Sequence, residues 1–261
     1  MQNYPNDTIK TLMQRRTIRN FTKEAIDETT RNWLEQAAQQ APTSEYRHSW
    51  SAIRVTDPTV AGRLAEIGGQ HYIAEAALLY VFVVDVHRNT QIVLENGVPE
   101  QNLTFKYPYS FFQGYQDATL ALSAMQIAAE SLGLGTVTLG SVLNDVDATI
   151  AALELPQFVY PVLGLGIGHV EKAPQVKPRM PQAAQFFDNR YPESVNWKEL
   201  LKEFDEETGK YVDLRHPDRT IPPFFKSITR HCTDRPTAEK RMIGPAQRQG
   251  FVMQDFLDLK G

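Results

Sequence analysis

The sequence predicts an α+β fold. The spacing of its apolar residues predicts helices and strands that are interleaved, but not in the regular strand–helix–strand order of a doubly wound sheet. The run Leu78 to Val86, rich in Val, Leu, Tyr and Phe, predicts a buried central strand. Residues 109–132 have a helical period with an apolar surface too wide for one contact face, so we expect this helix in the core or in a subunit interface. The 261 residues, 42% of them hydrophobic, permit one domain with excursions or two small ones.

In the first half of the chain, aspartates begin the predicted helices, because their side chains cap free backbone N–H groups. They are Asp7 before a short helix, Asp27 before a helix of about 28–40, and Asp57 before a helix of about 58–67. Pro42 ends the second of these helices and Gly68-Gly69 the third. Ser49 to Thr56 is predicted as a strand.

The remaining predicted elements include two more strands, and the chain ends in a basic region. The further predicted elements are a polar helix near 88–95, a loop at 97–107, a strand at 136–139, a helix from Asn144 or Asp145 to Leu153, a strand at 159–168 and one charged helix at 196–208. The basic residues of the last part are Arg215, Arg219, Lys226, Arg230, Arg235, Lys240, Arg241 and Arg248.

Composition excludes several classes of protein. The formal net charge of −4 argues against a general nucleic-acid binder. The single cysteine, Cys232, permits no intrachain disulfide and fits a reducing compartment, so we expect a cytoplasmic protein. The first residues are polar, unlike a signal peptide, and the apolar run Ala76 to Val84 is too short to span a bilayer.

Two basic segments stand out. Arg15-Arg16-Thr17-Ile18-Arg19 places three guanidinium groups within five residues, and such groups bind phosphate and carbonyl edges through forked donors. Lys177-Pro178-Arg179 lies between Pro174 and Pro181, and the prolines stiffen the loop that presents the two cations. Together the two segments suggest a phosphate clamp. A basic helix end and a solvated turn are the alternatives.

No side-chain constellation indicates hydrolytic or metal chemistry. The histidines are scattered and Cys232 has no motif around it, so no metal site is predicted. Gly133-Leu134-Gly135 follows a helix, whereas a dinucleotide fingerprint follows a strand. Any chemistry is therefore expected to come from a cofactor, and no residue is predicted as catalytic.

With the two basic segments, three further stretches complete a pattern: Gly68-Gly69-Gln70, Ala129 to Gly135, and Asn189-Arg190-Tyr191. The chain resembles the nitroreductase family of FMN-dependent, NAD(P)H-oxidising enzymes, and most of all its oxygen-insensitive NADPH nitroreductase and flavin reductase branch. The resemblance runs from the first helix to about Tyr191 and is weaker in the C-terminal third.

The resemblance implies a mostly antiparallel central sheet flanked by helices, in an intertwined homodimer with two FMN sites at its interface. It implies one domain, 1–261, in which 197–261 form a helical, basic extension that wraps the partner subunit. The helix at 109–132 would supply much of the interface.

The resemblance also implies the site. The cofactor-binding residues it indicates are Arg15, Arg16, Thr17, Ile18, Arg19, Thr43, Ser44, Gln70, Thr138, Leu139, Gly140, Ser141, Lys177, Pro178 and Arg179. The two basic segments would hold the FMN phosphate, Arg19 would lie by the pyrimidine edge, and Gln70 would bond the ring or the ribityl chain. Thr43 and Ser44 would come from the second subunit, and residues 138–141 would lie along the ring. Thr138 stands where the family has an aromatic, and Ser141 where it has a second glycine.

The implied function is two-electron transfer from NADPH, by way of tightly bound FMN, to nitroaromatics, quinones or free flavin by a ping-pong mechanism. NADPH is expected over NADH because the basic region Arg215 to Arg241 could meet the 2′-phosphate; the alternative is a solvated face. Two other functions are weighed: a non-catalytic FMN carrier or interaction protein, and a module that binds an acidic polymer, which the net charge disfavours.

Overall fold

A computed structural model describes residues 3–233 and 242–254. These residues divide into two compact units. The first unit comprises 3–13, 17–172 and 242–254, and the second comprises 14–16 and 173–233. The expectation of one domain over 1–261 stays a prediction. Of the basic C-terminal residues, Arg235, Lys240 and Arg241 lie outside the described part.

The described chain contains helices, strands and short 3₁₀ turns. The helices are α1 Asp7–Gln14, α2 Glu28–Gln39, α3 Pro58–Gly68, α4 His87–Glu95, α5 Pro108–Ser131, α6 Val146–Ala152, α7 Trp197–Leu200, α8 Lys202–Thr208, α9 Phe224–Thr233 and α10 Ile243–Arg248. The strands are β1 Asn20–Phe21, β2 Trp50–Arg54, β3 Leu78–Asp85, β4 Gly135–Leu139, β5 Val159–Gly168 and β6 Val170–Lys172. The 3₁₀ turns are Ser44–Tyr46, His71–Ile73, Glu100–Asn102, Gly140–Leu143 and Gln182–Ala184.

The main sheet has the strand order β2-β3-β5-β4, and each neighbouring pair is antiparallel. This sheet and the helices packed on it confirm the α+β prediction and the antiparallel sheet that the resemblance implied. A second, two-stranded sheet pairs β1 with β6. It was not predicted, because strands of two and three residues are too short to show a period of two.

The central strand β3 separates two apolar cores. Tyr80, Phe82 and Val84 face the core that contains α2 and α5, whereas the alternate residues 79, 81 and 83 face the core that contains α3. Side chains alternate along a strand, so a strand that is apolar on both faces must be covered on both. The sheet is therefore flanked by helices on each side.

Helix α5 lies in the core, as predicted. Phe111, Ala118, Leu122 and Met125 are buried along it. At Gly114 the helix approaches the sheet so closely that an added Cβ would lie 2.6 Å from the Ser49 carbonyl oxygen. Of the described helices, none is long and apolar enough to cross a membrane.

Of the three caps predicted in the first half of the chain, two are confirmed and one is wrong; in the second half, Asp145 caps α6 by accepting the Ala148 N–H at 3.1 Å. Asp27 and Asp57 accept backbone N–H groups of Thr30 and Thr59 at 2.9 and 2.7 Å. The first helix instead has Asn6, whose Oδ1 accepts the N–H of Ile9 at 2.9 Å, while Asp7 lies inside the first turn. Asn and Asp cap about equally well, so their sequence order alone did not identify the cap.

The prediction of one continuous helix at 196–208 is wrong. The structure has α7 and α8, separated at Leu201, whose φ of −104° and ψ of 9° are not helical. Leu201 is 6% exposed, so the break between the two helices coincides with a buried residue in an otherwise charged stretch. Helix α8 then packs on α9, where the rings of Phe204 and Phe224 lie 5.1 Å apart.

Candidate functional site

In the second unit, Arg16 contacts Pro174, the proline that precedes the second basic segment. Arg16 Nη1 donates to the carbonyl oxygen of Pro174 at 3.3 Å, and its Nε donates to that of Gln14 at 3.3 Å. Arg15 and Arg16 are half-buried. A guanidinium carries five N–H donors, so two bonds to carbonyls leave Arg16 further donors for an anion. The donor chemistry of this turn fits a phosphate group.

The two cations of the proline-flanked loop have different surroundings. Lys177 is half-buried, and its Nζ lies 5.2 Å from the ring centre of Tyr211, a cation–π contact that restrains it. Arg179 is exposed, two positions beyond it, and borders a cavity of about 700 Å³. Glutamates of α7 and α8 line this cavity, namely Glu199, Glu203, Glu206 and Glu207. Arg179 therefore has acidic neighbours that would compete with a bound phosphate.

In the first unit, two predicted site residues have buried side chains. Ile18 is 3% exposed, and its N–H donates to the Thr136 carbonyl at 2.8 Å beside a bridge between Thr17 and Thr136. Leu139 is 1% exposed. Both side chains belong to the core that contains α3, so either residue can offer a ligand only its backbone.

Arg19 retains an unused donor in a partly buried position. Its guanidinium carbon lies 5.9 Å from the ring centre of Tyr72. Its Nε is buried and has no hydrogen-bond partner among residues 3–233 and 242–254. Because an unmade hydrogen bond is costly at a buried donor, this position favours an acceptor supplied from outside the chain. The residue therefore fits a ligand with carbonyl or anionic oxygens.

Gln70 and Ser141 were both predicted to contact the cofactor, and the structure places them in contact with each other. Gly69, with a φ of 61°, ends α3 in the left-handed conformation, and Gln70 follows it. The Ser141 hydroxyl donates to Gln70 Oε1 at 2.9 Å. The neighbouring Gly140 is exposed, and an added Cβ would meet only Leu163, at 4.0 Å. The space beside Gly140 is thus open to a ligand.

Thr138 is exposed on β4 and belongs to a chain of hydrogen bonds that the sequence analysis missed. Its hydroxyl donates to Gln126 Oε1 at 3.3 Å. The Gln126 amide donates to Glu130 Oε1 at 3.2 Å and to the Thr136 hydroxyl at 3.1 Å. The i, i+4 spacing of Gln126 and Glu130 on α5 is the sequence signal that could have indicated this pair.

Ser44 is held by a buried carboxylate, which was also missed. The N–H and the hydroxyl of Ser44 both donate to Asp117 Oδ1 at 2.9 Å. Asp117 is 1% exposed. Thr43 precedes Ser44 in the same loop, and Glu45 and Tyr46 after it have positive φ values of 51° and 56°. An acid inside the apolar helix α5 is the feature of the sequence that could have indicated Asp117.

Other features of the described residues lie away from the predicted site. A cavity of about 750 Å³ beside β2 has three arginines in its lining, Arg47, Arg54 and Arg88, and none of the predicted cofactor residues. Within 3–233 and 242–254, no group of three His, Cys, Asp or Glu side chains could hold a metal ion.

Comparisons with known proteins identify the family and agree with the fold. The family model described as "Nitroreductase family" matches residues 12–169, and that described as "Nitroreductase family, C-terminal domain" matches residues 177–254. An "NADPH-dependent oxidoreductase" of Staphylococcus saprophyticus is 34% identical over 244 residues, which are 92% of this chain and 96% of that protein. An "FMN reductase (NADPH)" of Bacillus subtilis is 30% identical over 98% of both chains.

A solved structure is similar over nearly the whole chain. The NADPH:FMN oxidoreductase of Vibrio harveyi, complexed with NAD+, superposes with a TM-score of 0.84 at 26% identity and covers 95% of this chain and 100% of its own. The fold and the basic motifs define a nitroreductase-like α+β protein. The chain belongs to the nitroreductase family.

Proposed function

We propose that the protein is an FMN-dependent oxidoreductase that takes two electrons from NADPH and delivers them to nitroaromatics, quinones or free flavin. The observation that supports the proposal is the contact between Arg16 and the Pro174 carbonyl, because it holds Arg16 on the loop that leads to Lys177 and Arg179 within one unit. The relatives named as NADPH-dependent oxidoreductase and FMN reductase support the same cofactor and donor.

The residues that the resemblance indicates would serve different parts of the cofactor. Within the second unit, Arg15, Arg16, Lys177 and Arg179 would bind the phosphate. Within the first unit, Arg19 and Gln70 would donate to the ring system. A fixed cation near the pyrimidine edge stabilises the negative charge that grows there on reduction. FMN, when bound, would supply the hydride chemistry, and the protein would position the reactants and stabilise charge.

The yellow colour of bound FMN, and its loss when NADPH reduces the flavin, test the proposal. Purified protein given FMN and freed of excess is expected to be yellow and to bleach on anaerobic addition of NADPH. Yellow protein that does not bleach would favour the alternative of a non-catalytic FMN carrier. Protein that retains no FMN would contradict both functions.

The acceptor and the kinetic scheme need a second experiment. Steady-state rates with a quinone, a nitroaromatic and free FMN would rank the acceptors. A ping-pong mechanism, in which the donor leaves before the acceptor enters, gives parallel lines in double-reciprocal plots. Intersecting lines would show that both substrates bind at once.

The preference for NADPH over NADH rests on the basic C-terminal region. Two of its members are paired in the structure, Arg215 with Asp213 and Arg248 with Asp147. Lys226 on the amphipathic helix α9 is a candidate for the 2′-phosphate. Stopped-flow reduction is expected to be faster with NADPH, and Lys226→Ala is expected to reduce that difference; equal rates for the wild type would remove the claim.

A further inference from the structure

Two turns of the first unit meet through one side-chain hydrogen bond. One turn follows α3 and carries Gln70; the other is the 3₁₀ turn Gly140–Leu143 and carries Ser141. They are 71 residues apart in the chain, and the bond from the Ser141 hydroxyl to Gln70 Oε1 is 2.9 Å long and partly buried. Partial burial makes such a bond electrostatically stronger than one in bulk water.

The surroundings fit the Ser141 side chain closely. A Cβ added at Gly68 would lie 3.0 Å from Ser141 Oγ and 2.7 Å from Ile73 Cδ1, so the glycine leaves the space that the hydroxyl occupies. Asn144, which follows the 3₁₀ turn, makes a separate link to the end of α3, because its Nδ2 donates to the Ile67 carbonyl at 3.4 Å. That link does not involve Gln70 and serves as an internal comparison.

The direction of the bond determines what Gln70 can offer a ligand. The hydroxyl donates to Oε1, so the amide nitrogen, with its two donors, points away from Ser141. No contact found within 3–233 and 242–254 uses that nitrogen, and Gln70 is half-buried. The chain therefore holds an amide donor in a fixed orientation.

We propose that Ser141 is a positioning residue that orients the Gln70 amide so that it donates to an electron-accepting oxygen or nitrogen of the bound isoalloxazine ring. The inference rests on the proposed function. A glycine at this position, as in the family pattern, could not make the bond. A donor aimed at an atom that gains negative charge stabilises the reduced ring more than the oxidised ring. Ser141 thus raises the midpoint potential of the bound flavin through its bond to Gln70.

A double-mutant cycle tests this assignment. The variants are Ser141→Ala, Gln70→Ala and the pair together, each titrated with FMN and each measured for midpoint potential by equilibration with a redox dye. Ser141→Ala is expected to weaken FMN binding about threefold to tenfold, the effect of one hydrogen bond. It is also expected to lower the midpoint potential. In the Gln70→Ala background, adding Ser141→Ala should change neither quantity.

Two further variants distinguish an effect on the orientation of Gln70 from a general loss of protein stability. Asn144→Ala is expected to lower the melting temperature and leave the potential of the bound flavin unchanged. Ser141→Gly, which keeps only the backbone, is expected to match Ser141→Ala in potential and serves if the alanine variant does not fold. Melting curves followed by circular dichroism would report the fold of each variant.

The outcomes distinguish the inference from the function on which it rests. Wild-type protein that takes up no FMN would overturn the proposed function, and the inference with it. FMN-bound Ser141→Ala and Ser141→Gly with the wild-type potential would overturn the inference alone. The inference would also be overturned if the effects of Ser141→Ala and Gln70→Ala on FMN binding and midpoint potential were additive in the double variant.

Discussion

Arg19 and Arg179 differ in what surrounds each guanidinium. Arg19 is half-buried beside Tyr72 with an unused Nε, whereas Arg179 is exposed beside the glutamates of α7 and α8. A half-buried cation acts more strongly on a nearby charge than an exposed one, because less water screens it. The two residues are therefore expected to contribute to different steps.

Replacing each arginine by alanine tests this difference. Arg19→Ala is expected to slow reduction by NADPH by up to about 100-fold, the scale of a lost charge-stabilising donor, with a smaller effect on FMN affinity. Arg179→Ala is expected mainly to weaken FMN binding, by about tenfold, because it removes a phosphate partner. Stopped-flow reduction at saturating FMN and fluorescence titration measure the two effects.

The control is Arg63→Ala, which removes an exposed arginine that pairs with Glu66 on α3, away from the predicted site residues. It is expected to change neither rate nor affinity. If Arg179→Ala slowed reduction and Arg19→Ala only weakened FMN binding, the assigned roles would be wrong.

Asp27 makes the stability of α2 depend on pH. The Thr30 hydroxyl, at 2.6 Å, and then the Thr30 N–H lower the pKa of this carboxyl below its ordinary value. A lowered pKa means that the folded state favours the ionised form. The stabilisation is present above the ordinary aspartate pKa of about 3.9 and is lost as pH falls through the folded-state value.

The melting temperature of Asp27→Ala should therefore fall below that of the wild type at pH 7, and the difference should shrink as pH is lowered past about 4. Asp27→Asn keeps an N-cap oxygen and cannot titrate, so its difference from Asp27→Ala should change little with pH. A wild-type advantage over Asp27→Ala that stayed constant down to pH 2 would contradict the role of ionised Asp27.

At the scale of elements, helix α5 can approach the sheet closely because residue Gly114 has no side chain. A Cβ at Gly114 would lie 2.6 Å from the Ser49 carbonyl oxygen and 2.8 Å from Val84 Cγ1, and neither atom belongs to a flexible side-chain end. The helix could accommodate a methyl group there only by moving away from β2 and β3.

Gly114→Ala is expected to lower the free energy of unfolding by about 1–3 kcal/mol through overpacking. Gly62→Ala is the matched comparison, because Gly62 also lies within a helix, α3, yet a Cβ there meets nothing within 4 Å. It is expected to raise the same quantity by about 0.5–1 kcal/mol, since alanine favours the helix. Urea denaturation of both variants measures the contrast, and two changes of the same sign would contradict it.

Helices and strands were predicted best where residues close in the sequence determine them. The starts of α2 and α3 depend on an aspartate and a backbone N–H two or three residues away, so the sequence showed both. The break between α7 and α8 coincides with the buried Leu201, and no neighbouring residue in the sequence indicates it. The pairing of β1 with β6 joins residues about 150 positions apart and has no local signal either.

For the whole molecule, we propose the homodimer that the family resemblance implies. Helix α5 buries one side in the core and leaves large apolar side chains exposed on the other, namely Tyr109, Phe112 and Leu120 at 64%, 58% and 45% exposure. Exposed aromatic and aliphatic side chains along one helix favour an interface between subunits.

Light scattering after gel filtration is expected to give twice the chain mass of 29.6 kDa. Phe112→Glu should shift the protein towards the monomer, because a charge buried in an interface without a partner costs several kcal/mol. Ile92→Glu, which alters an exposed apolar residue on α4, should leave the dimer intact. A wild-type monomer at micromolar concentration would contradict the proposal.

The sequence by itself determined the class of fold, the helix starts at Asp27 and Asp57, the buried central strand and the basic segments. These features depend on side-chain type and on spacing within a few residues, which the chain carries in its linear order. The tertiary structure alone decided which side chains meet. Ser141 reaches Gln70, and Ser44 reaches Asp117, across more than 70 residues of chain. A hydrogen bond needs its atoms placed to within a few tenths of an ångström, and only the packing of distant elements sets positions that closely.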